Sequence, residues 1–351
     1  MDLRADPLVR RLAAAVRDAI GHNPDQPWEA LRRVEAPALE APAAVGGFDL
    51  GLTCGIVVSA ELGRRASPDV YGAVPMAVES LLAADGDHRA AAALAGGERP
   101  VVSAGLDAAV PGGRPAPRAE RTAAGWSLTG AVPAPDGAPP GADLCVPVRT
   151  GEGVRLALLP AAAWSERAAG ERVDLAGIEL PGDALGGGLD PADQAGPLAR
   201  ARVRHAGRLL GLGEGALGLA ADHAAARKQF GTALLGFQGV AFPLAKAEID
   251  LAAARLMTAR AGWLADAGRP FGTAAAEALA LAAEAALTAV RTALQVHGAR
   301  GMSREAEVSR YLPAVRRAVA HLGPVGALWR EAGRHRLAER RAAEAAPAEG
   351  E

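Results

Sequence analysis

The sequence predicts an α+β fold in three parts: an N-terminal helical domain over residues 1–98, a middle β domain over 99–196 and a C-terminal four-helix bundle over 197–340. Both ends of the chain space their apolar residues at the helical period, whereas the middle has short apolar runs separated by proline, glycine and aspartate. Only 3% of the residues are aromatic although 50% are hydrophobic, so we expect a core of alanine, leucine and valine on closely packed helices.

The bulk composition excludes several classes of protein. The formal net charge is −2 over 351 residues, which gives no field that attracts nucleic acid or acidic membranes. The two cysteines, Cys54 and Cys145, are too few for a disulfide framework or a metal cluster. The N-terminus lacks the apolar core of a signal peptide, and no uncharged apolar run is long enough to cross a bilayer. We therefore expect a soluble cytoplasmic protein without a metal and without nucleic-acid or membrane partners.

Helices are predicted throughout the N-terminal third. Residues 8–20 alternate apolar and basic side chains at helical spacing, and the segment from Gly21 to Pro27 ends that helix. Residues 37–47 are rich in proline, alanine and glycine and are predicted to be a loop. The remaining helices of this part are expected over residues 28–34, 52–65 and 71–95, the last as one or two helices.

The pattern changes to that of strands and turns from about Pro100. Residues 183–188, which contain three consecutive glycines, are predicted to be a flexible exit from the β domain. The strands are expected over residues 101–104, 126–132, 144–149, 154–159 and 172–175.

The C-terminal part is predicted to be helical again. Long helices with short connections form a four-helix bundle. The final residues, 341–351, hold alanine, glutamate, proline and glycine with nothing to bury, and are expected to be a flexible tail. The four helices are expected over residues 198–229, 238–267, 272–297 and 306–338.

Motifs in this C-terminal part stand at fixed intervals. Arg227-Lys-Gln-Phe-Gly231 is followed by Gln238, eleven residues after the arginine, and Gln295 stands three residues before Gly298. Each motif is weak alone, but the order and spacing together are specific. They resemble the flavin-binding features of the acyl-CoA dehydrogenase family.

The resemblance covers most of the chain. Gly46-Gly47 followed by Glu61-Leu-Gly-Arg64 is similar to the family's N-terminal motifs, and residues 125–130 with 142–147 are similar to its middle domain. It implies an acyl-CoA dehydrogenase-like fold, an FAD cofactor and an acyl thioester substrate, carried by CoA or by a carrier protein. A homodimer, a homotetramer or a hetero-oligomer with a related subunit is also implied, because the family shares its site between subunits.

The resemblance further implies which residues bind FAD. Arg227 and Gln238, with Phe230, would meet the dinucleotide from one subunit. Gln295, Gly298 and Ala299 would reach it from the neighbouring subunit. A fixed cation and backbone N–H groups suit a pyrophosphate, and glycine lets the backbone approach it closely.

Simpler interpretations of these residues stay open. Arg227 near a helix end is also typical of a solvated side chain or a partner of a carboxylate, and Phe230 is also typical of a core residue. Gln295 suits a surface or an interface equally well. Gly298 and Gly301 are also what a helix-ending turn requires.

No carboxylate stands where the resemblance places the catalytic base. The usual position, before a Gly-Thr pair, holds Leu322 before Gly323-Pro324, and the alternative position near the start of the first bundle helix holds Ala201. The catalytic residues are therefore unknown from sequence. His321 is a weak candidate for the base because it adjoins the usual position and histidine titrates near neutrality.

Other ionisable residues near these positions have structural alternatives. Glu305 suits a helix cap or an ion pair, His297 a turn, and His205 packing or an interface. Arg202 matches an arginine of the family close to the substrate end of the site, and a salt bridge within the bundle is equally consistent with its position.

The loops that face the flavin ring in the family are depleted of hydrogen-bond donors here. The corresponding segments are Ser103-Ala-Gly-Leu-Asp107 and Ala131-Val-Pro-Ala-Pro-Asp136, and Pro324 removes both a hydroxyl and a backbone N–H. Ring binding is thus less supported than pyrophosphate binding. FAD is expected to be bound fully, bound weakly, shared with a partner chain, or absent.

Three functions agree with this sequence. The first is α,β-dehydrogenation of an acyl thioester with a non-standard or partner-supplied active site. The second is a catalytically degenerate partner or scaffold subunit of a heteromeric acyl-CoA dehydrogenase. The third is a flavoenzyme repurposed for another oxidation in a biosynthetic pathway.

Overall fold

The N-terminal helices form where their apolar spacing predicts them. A computed structural model describes residues 7–84, 88–135, 137–190 and 193–345. In the first helix Val16 and Ile20 are buried and the basic residues face outward. The helices are α1 (Pro7–His22), α2 (Pro27–Arg33), α3 (Leu52–Arg64), α4 (Ala73–Ala83) and α5 (His88–Ala95).

The predicted loop between α2 and α3 is tightly folded and contains two short 3-10 turns, Ala36–Ala38 and Ala43–Val45. In this loop, the second residue of the Gly46-Gly47 pair is glycine for a steric reason. A Cβ atom on Gly47 would lie 1.9 Å from the carbonyl oxygen of Ala41, so the loop closes only with glycine.

The middle of the chain forms β-structure with a hydrophobic cluster of its own, separate from the main core. Its elements are β1 (Val101–Ser103), β2 (Arg118–Arg121), β3 (Trp126–Thr129), β4 (Ala131–Pro133), β5 (Asp143–Thr150), β6 (Gly153–Leu159), α6 (Ala161–Trp164), β7 (Ala168–Ala169), β8 (Arg172–Asp174), β9 (Glu179–Leu180) and β10 (Leu185–Gly188). Strands β10-β6-β5-β2-β3-β9 lie in that order in a seven-stranded sheet, with β1 parallel to β5. Strands β4-β8-β7 form a second sheet.

The expectation that residues 183–188 form a flexible exit is wrong. Leu185–Gly188 is strand β10, which pairs antiparallel with β6. Its glycines allow the strand to pack closely on α4, since a Cβ atom on Gly186 would lie 2.8 Å from the Cβ atom of Ser80. The glycine run therefore serves close packing rather than flexibility.

The C-terminal part is helical with one small hairpin. Its elements are α7 (Pro197–Ala226), β11 (Lys228–Gln229), β12 (Thr232–Ala233), α8 (Gln238–Asp266), α9 (Gly272–His297), α10 (Tyr311–Ala318) and α11 (Val325–Ala345). Helix α9 is central, because it packs against α7, α8 and α11.

Two expectations for the end of the chain need correction. The single helix predicted over 306–338 is two helices, since Gly323 adopts a φ of 129° and Pro324 cannot donate a backbone hydrogen bond. The predicted tail over 341–351 begins too early, because α11 continues to Ala345; residues 346–351 lie outside the described part of the chain.

Glycines set the distance between α3 and α7. A Cβ atom on Gly211 would lie 2.0 Å from the carbonyl oxygen of Ala60, and one on Gly215 would lie 2.3 Å from that of Arg64. These glycines, four residues apart, share one face of α7 and let the two backbones approach. The N-terminal helices are thereby fixed on the C-terminal ones.

One segment of the described residues is long and apolar enough to cross a membrane, although it is not an uncharged run, since it contains Glu277, Glu284 and Arg291. It is Gly272–Met302, α9 with the 3-10 turn after it, and 78% of its apolar window is buried inside the fold. The central position of α9 accounts for its apolar surface.

Candidate functional site

Basic side chains meet where α7 and α9 end. The rings of His223 and His297 are stacked with their centroids 4.4 Å apart. The pKa of His223 is lowered by burial, then by His297, Arg300 and Arg227. We call these four residues the cationic end. Guanidinium groups in such a cluster suit an anionic ligand such as a phosphate.

The hairpin β11–β12 follows the cationic end directly. The backbone N–H of Leu234 donates to the carbonyl of Arg227 at 2.8 Å, which closes the hairpin. At the tip, Phe230 and Gly231 have φ values of 50° and 81°, as in a type I′ turn. Phe230 is 94% exposed, so the alternative that it is a core residue is wrong. An exposed aromatic side chain on a left-handed backbone is typical of a contact residue for a ligand or partner.

The other predicted cofactor residues lie at exposed helix ends. Gln238 is the first residue of α8, and Gln295 is in the last turn of α9. Gly298 has a φ of 60°, and its N–H donates to the carbonyls of Gln295 and Leu294, so it does form a helix-ending turn. Ala299 follows it on the surface.

One chain holds both predicted groups at the same place. His223 is one turn before Arg227 on α7, and His297 is two residues after Gln295 on α9; the stacking of the two rings brings these helix ends together. The helix ends that carry the two groups are therefore neighbours within one chain. The expected approach of the two groups to one dinucleotide from neighbouring subunits stays a prediction.

A cavity of about 350 Å³ lies between the β-structure and helices α7 and α10. The Ser103 hydroxyl, at the end of β1, is hydrogen-bonded to Nε2 of His321 at 3.1 Å. The ring of His205 lies 5.1 Å from that of His321, and its Nε2 is 2.8 Å from the carbonyl oxygen of Ala318. Asp69 also lines the cavity.

Both histidines of the cavity are neutral at physiological pH. Burial and the neighbouring His321 lower the pKa of His205 to about 3. Burial also lowers the pKa of His321. Burial opposes ionisation of Asp69, but the charge of Arg208 holds the pKa of its carboxyl below the usual range. The cavity is thus polar, with a neutral imidazole as its available base.

Neither expected base position reaches this cavity. Leu322 is 2% exposed and packs in the main core, and Ala201 is 5% exposed and packs there too. His321, one residue from Leu322 in the turn that follows α10, lines the cavity instead. His321 is therefore the candidate base that the structure places at the cavity, while both residues at the family's positions are core residues.

The remaining ionisable candidates have structural partners. Arg202 forms a bidentate ion pair with Glu331 at 2.6 and 3.0 Å, with side chains 2% and 6% exposed. Nδ1 of His297 lies 2.8 Å from the carbonyl oxygen of Ala293. Glu305 is exposed, and its N–H contacts the Ser303 hydroxyl. Of the two alternatives for Arg202, the salt bridge within the fold is the one observed.

The parts of the two expected flavin-facing loops that line the cavity bring one side-chain hydroxyl, that of Ser103, among their described residues, whereas arginines line the cavity from other parts of the chain. Pro133 and Pro135 line it without backbone N–H groups, and the Ser103 hydroxyl is already paired with His321. Asp107 holds Arg114, with Nε at 2.9 Å from Oδ2. Asp136, which ends the second predicted loop, lies outside the described residues. In contrast, the cationic end fits the pyrophosphate of a dinucleotide.

Sequence reasoning missed a buried ionic network between α4 and α7. The Nε–H of Arg204 is shared between the two carboxylate oxygens of Glu40, at 2.8 and 3.0 Å, and its Nη2 donates to Glu79. Arg200 bonds Glu79 at 2.5 Å, and the Tyr71 hydroxyl donates to Glu40 at 2.8 Å. Burial raises the pKa of Glu40 above its usual value. The available signal was the series of arginines near the start of α7, Arg200, Arg202 and Arg204, in a helix that is largely buried.

This order of helices, sheet and helices, with a cationic helix end, defines an acyl-CoA dehydrogenase-like fold. Residues 186–337 match the family described as Acyl-CoA dehydrogenase, C-terminal domain. Acyl-CoA dehydrogenase fadE12 of Mycobacterium tuberculosis (strain CDC 1551 / Oshkosh) is 37% identical over 158 residues, which are 44% of this chain and 40% of that protein. The chain thus matches about two fifths of that relative's length.

Solved structures match nearly the whole chain. The ChsE4-ChsE5 complex from Mycobacterium tuberculosis has a TM-score of 0.79 and 24% identity, covering 97% of this chain and 99% of the other. The steroid ACAD Tcur3481-Tcur3483 has a TM-score of 0.78 and 26% identity, covering 95% and 99%. By sequence, the C-terminal part of the chain matches the acyl-CoA dehydrogenase family, and the whole chain shares the fold of the solved structures named above.

Proposed function

We propose that this chain is the flavin-supporting subunit of a two-chain acyl-CoA dehydrogenase, in which a related chain supplies the carboxylate base. One observation carries the proposal. Leu322 and Ala201 occupy the expected base positions as buried core residues, while Arg227, Gln238 and Gln295 remain exposed. A chain that has lost the proton acceptor has thus kept the surface that suits the cofactor's phosphates.

The residues of the cationic end have defined roles toward FAD in this proposal. Arg227 pairs with the pyrophosphate, the side-chain amides of Gln238 and Gln295 bond the dinucleotide, and Gly298 permits close approach of the backbone. Phe230 offers an exposed ring for packing. When bound, FAD supplies the hydride acceptor for α,β-dehydrogenation of an acyl thioester.

The cavity also supports the proposal that this chain binds the cofactor's phosphates while a related chain carries the catalytic pocket. The wall that the two expected flavin-facing loops contribute contains Pro133 and Pro135, and the Ser103 hydroxyl beside them is already hydrogen-bonded to His321. We therefore place the ring, and the thioester of CoA or a carrier protein, in the pocket of the related chain. Both structural neighbours are named as pairs, ChsE4-ChsE5 and Tcur3481-Tcur3483, which agrees with a heteromer. We expect the assembly in the cytoplasm.

His321 supports a second candidate function, dehydrogenation within this chain alone. Its neutral imidazole lines the cavity and is hydrogen-bonded to Ser103 at 3.1 Å. A neutral imidazole within reach of a substrate is able to accept a proton. In this alternative, the chain needs no carboxylate from a partner.

Co-production with a related family member from the same genome that retains the glutamate separates the two functions. The first predicts little flavin on this chain alone, a yellow complex, and loss of thioester dehydrogenation when the related chain's glutamate is replaced by glutamine. The second predicts flavin and activity in this chain alone, both assayed with several acyl-CoA thioesters, and loss of that activity in His321→Gln. Activity of the isolated chain contradicts the first proposal.

A further inference from the structure

Ser103 and His321 form a hydrogen-bonded pair on the wall of the cavity between the β-structure and helices α7 and α10. The Ser103 hydroxyl lies 3.1 Å from Nε2 of His321, and both residues line the cavity. Ser103 ends strand β1 and His321 follows α10, so the tertiary fold brings together residues 218 positions apart. A hydroxyl within hydrogen-bond reach of an imidazole is the arrangement that activates a serine as a nucleophile.

The imidazole of His321 is in the protonation state that a general base requires. Burial lowers the pKa of His321, so its ring is neutral at physiological pH and is able to take up the serine proton. The negative charges of Asp69 and then Asp107 raise the pKa of His321, so they stabilise the imidazolium that forms when the proton moves. Oδ1 of Asp69 accepts a hydrogen bond from the N–H of Gly72 at 3.0 Å, which holds this carboxylate in place.

The cavity offers space for an acyl group and a fixed positive charge. Its volume of about 350 Å³ is that of roughly a dozen water molecules, and Ala104 and Gly105 contribute small apolar surfaces beside the Ser103 hydroxyl. Arg208 also lines the cavity, and its buried Nη2 donates to the carbonyl oxygen of Ser67 at 2.6 Å. A fixed guanidinium in a cavity wall suits the negative charge that develops on a carbonyl oxygen under attack.

We propose that Ser103 is a nucleophile that hydrolyses short-chain acyl thioesters, with His321 as its general base and general acid. Ser103 Oγ attacks the thioester carbonyl carbon while its proton passes to Nε2 of His321. The C–S bond then breaks and the proton moves from His321 to the leaving sulfur, which gives a free thiol and an acyl ester on Ser103. Water attacks that ester, its proton passes through His321 to Ser103 Oγ, and the carboxylic acid is released.

This activity goes beyond the proposed function, since hydrolysis requires neither flavin nor a related chain. Its failure is therefore distinguishable from a failure of the cationic end to support FAD. The purified full chain is assayed with acetyl-CoA and butyryl-CoA, and the thiol released is measured with dithionitrobenzoate. The native cysteines, Cys54 and Cys145, are buried and should not contribute to a continuous signal.

Substitutions of the pair should remove the hydrolysis. Ser103→Ala and His321→Gln should each lower kcat by roughly 100-fold or more, as expected for loss of the nucleophile or of its general base. Asp69→Asn should move the rise of kcat/KM with pH to a lower pH, because the Asp69 charge raises the pKa of His321. Ser165→Ala is the matched control, since Ser165 is exposed in the β-structure, and should leave kcat unchanged. Circular dichroism verifies that each variant is folded.

A serine-directed reagent identifies the nucleophile itself. Phenylmethanesulfonyl fluoride should sulfonylate Ser103 with loss of fluoride, and mass spectrometry of the digested protein locates the modified residue. We expect the label on Ser103 in the unmodified sequence and a slower reaction in His321→Gln. The inference is overturned by a full chain that neither hydrolyses these thioesters nor is labelled, by hydrolysis that persists in Ser103→Ala, or by a label on a different residue.

Discussion

Replacing Arg202 by methionine tests whether this arginine is structural. Its guanidinium is paired bidentately with Glu331, and both side chains are almost fully buried. Arg202→Met would leave the Glu331 carboxylate buried without a partner. Breaking a buried ion pair in this way typically costs about 3–5 kcal/mol of unfolding free energy.

The double variant Arg202→Met/Glu331→Leu is the matched control. Apolar side chains of similar volume often replace a buried ion pair without loss of stability, so we expect most of that free energy to return. Urea unfolding followed by circular dichroism measures all three proteins. The reasoning is refuted if Arg202→Met lowers the unfolding free energy by less than about 1 kcal/mol, or if the double variant is as unstable as the single one.

Two further predictions follow from the buried histidine and from the α3–α7 contact. The pKa of His205 is lowered to about 3 in the folded chain, against about 6.5 when unfolded, so the unfolded chain binds more protons between these values. Stability should therefore fall as the pH falls through that window, by up to about 1.4 kcal/mol per pH unit from this group, and His205→Gln should flatten the curve in urea titrations. An unchanged slope would contradict the lowered pKa. Gly211→Ala should destabilise the fold by about 1–3 kcal/mol, because its Cβ would lie 2.0 Å from the Ala60 carbonyl oxygen. Gly218→Ala, on the same helix with nothing within 4 Å, should instead stabilise it by about 0.5–1 kcal/mol in thermal unfolding. Equal effects at the two glycines would show that the close contact is absent.

The sequence was informative where one local pattern determined the structure. Helix α9 follows its predicted range of 272–297, and Gly46-Gly47 marked a turn that only glycine permits. Strand β2 escaped prediction because Arg118-Ala-Glu-Arg121 is polar, and its strand conformation follows from antiparallel pairing with β3. Strand β10 escaped it because glycines that look flexible are explained only by their contact with α4.

For the candidate site, the sequence predicted individual residues but not how the fold places them relative to one another. Motif spacing predicts Arg227, Gln238 and Gln295 as cofactor residues, but it did not show that α7 and α9 end side by side in one chain. That proximity depends on tertiary packing, seen in the stacked rings of His223 and His297. The network of Arg204 with Glu40 and Glu79 was likewise missed, since its members lie more than a hundred residues apart or in a loop.

Flavin content of the two-chain complex tests the central claim most directly. The complex of this chain with a related glutamate-bearing chain should hold FAD, and Arg227→Ala in this chain should reduce the bound FAD measured from the absorbance spectrum. Arg33→Ala, an exposed arginine on α2 outside the cationic end, is the matched control and should leave the flavin content unchanged. Unchanged flavin in an intact Arg227→Ala complex would contradict the proposal that this chain supports the cofactor.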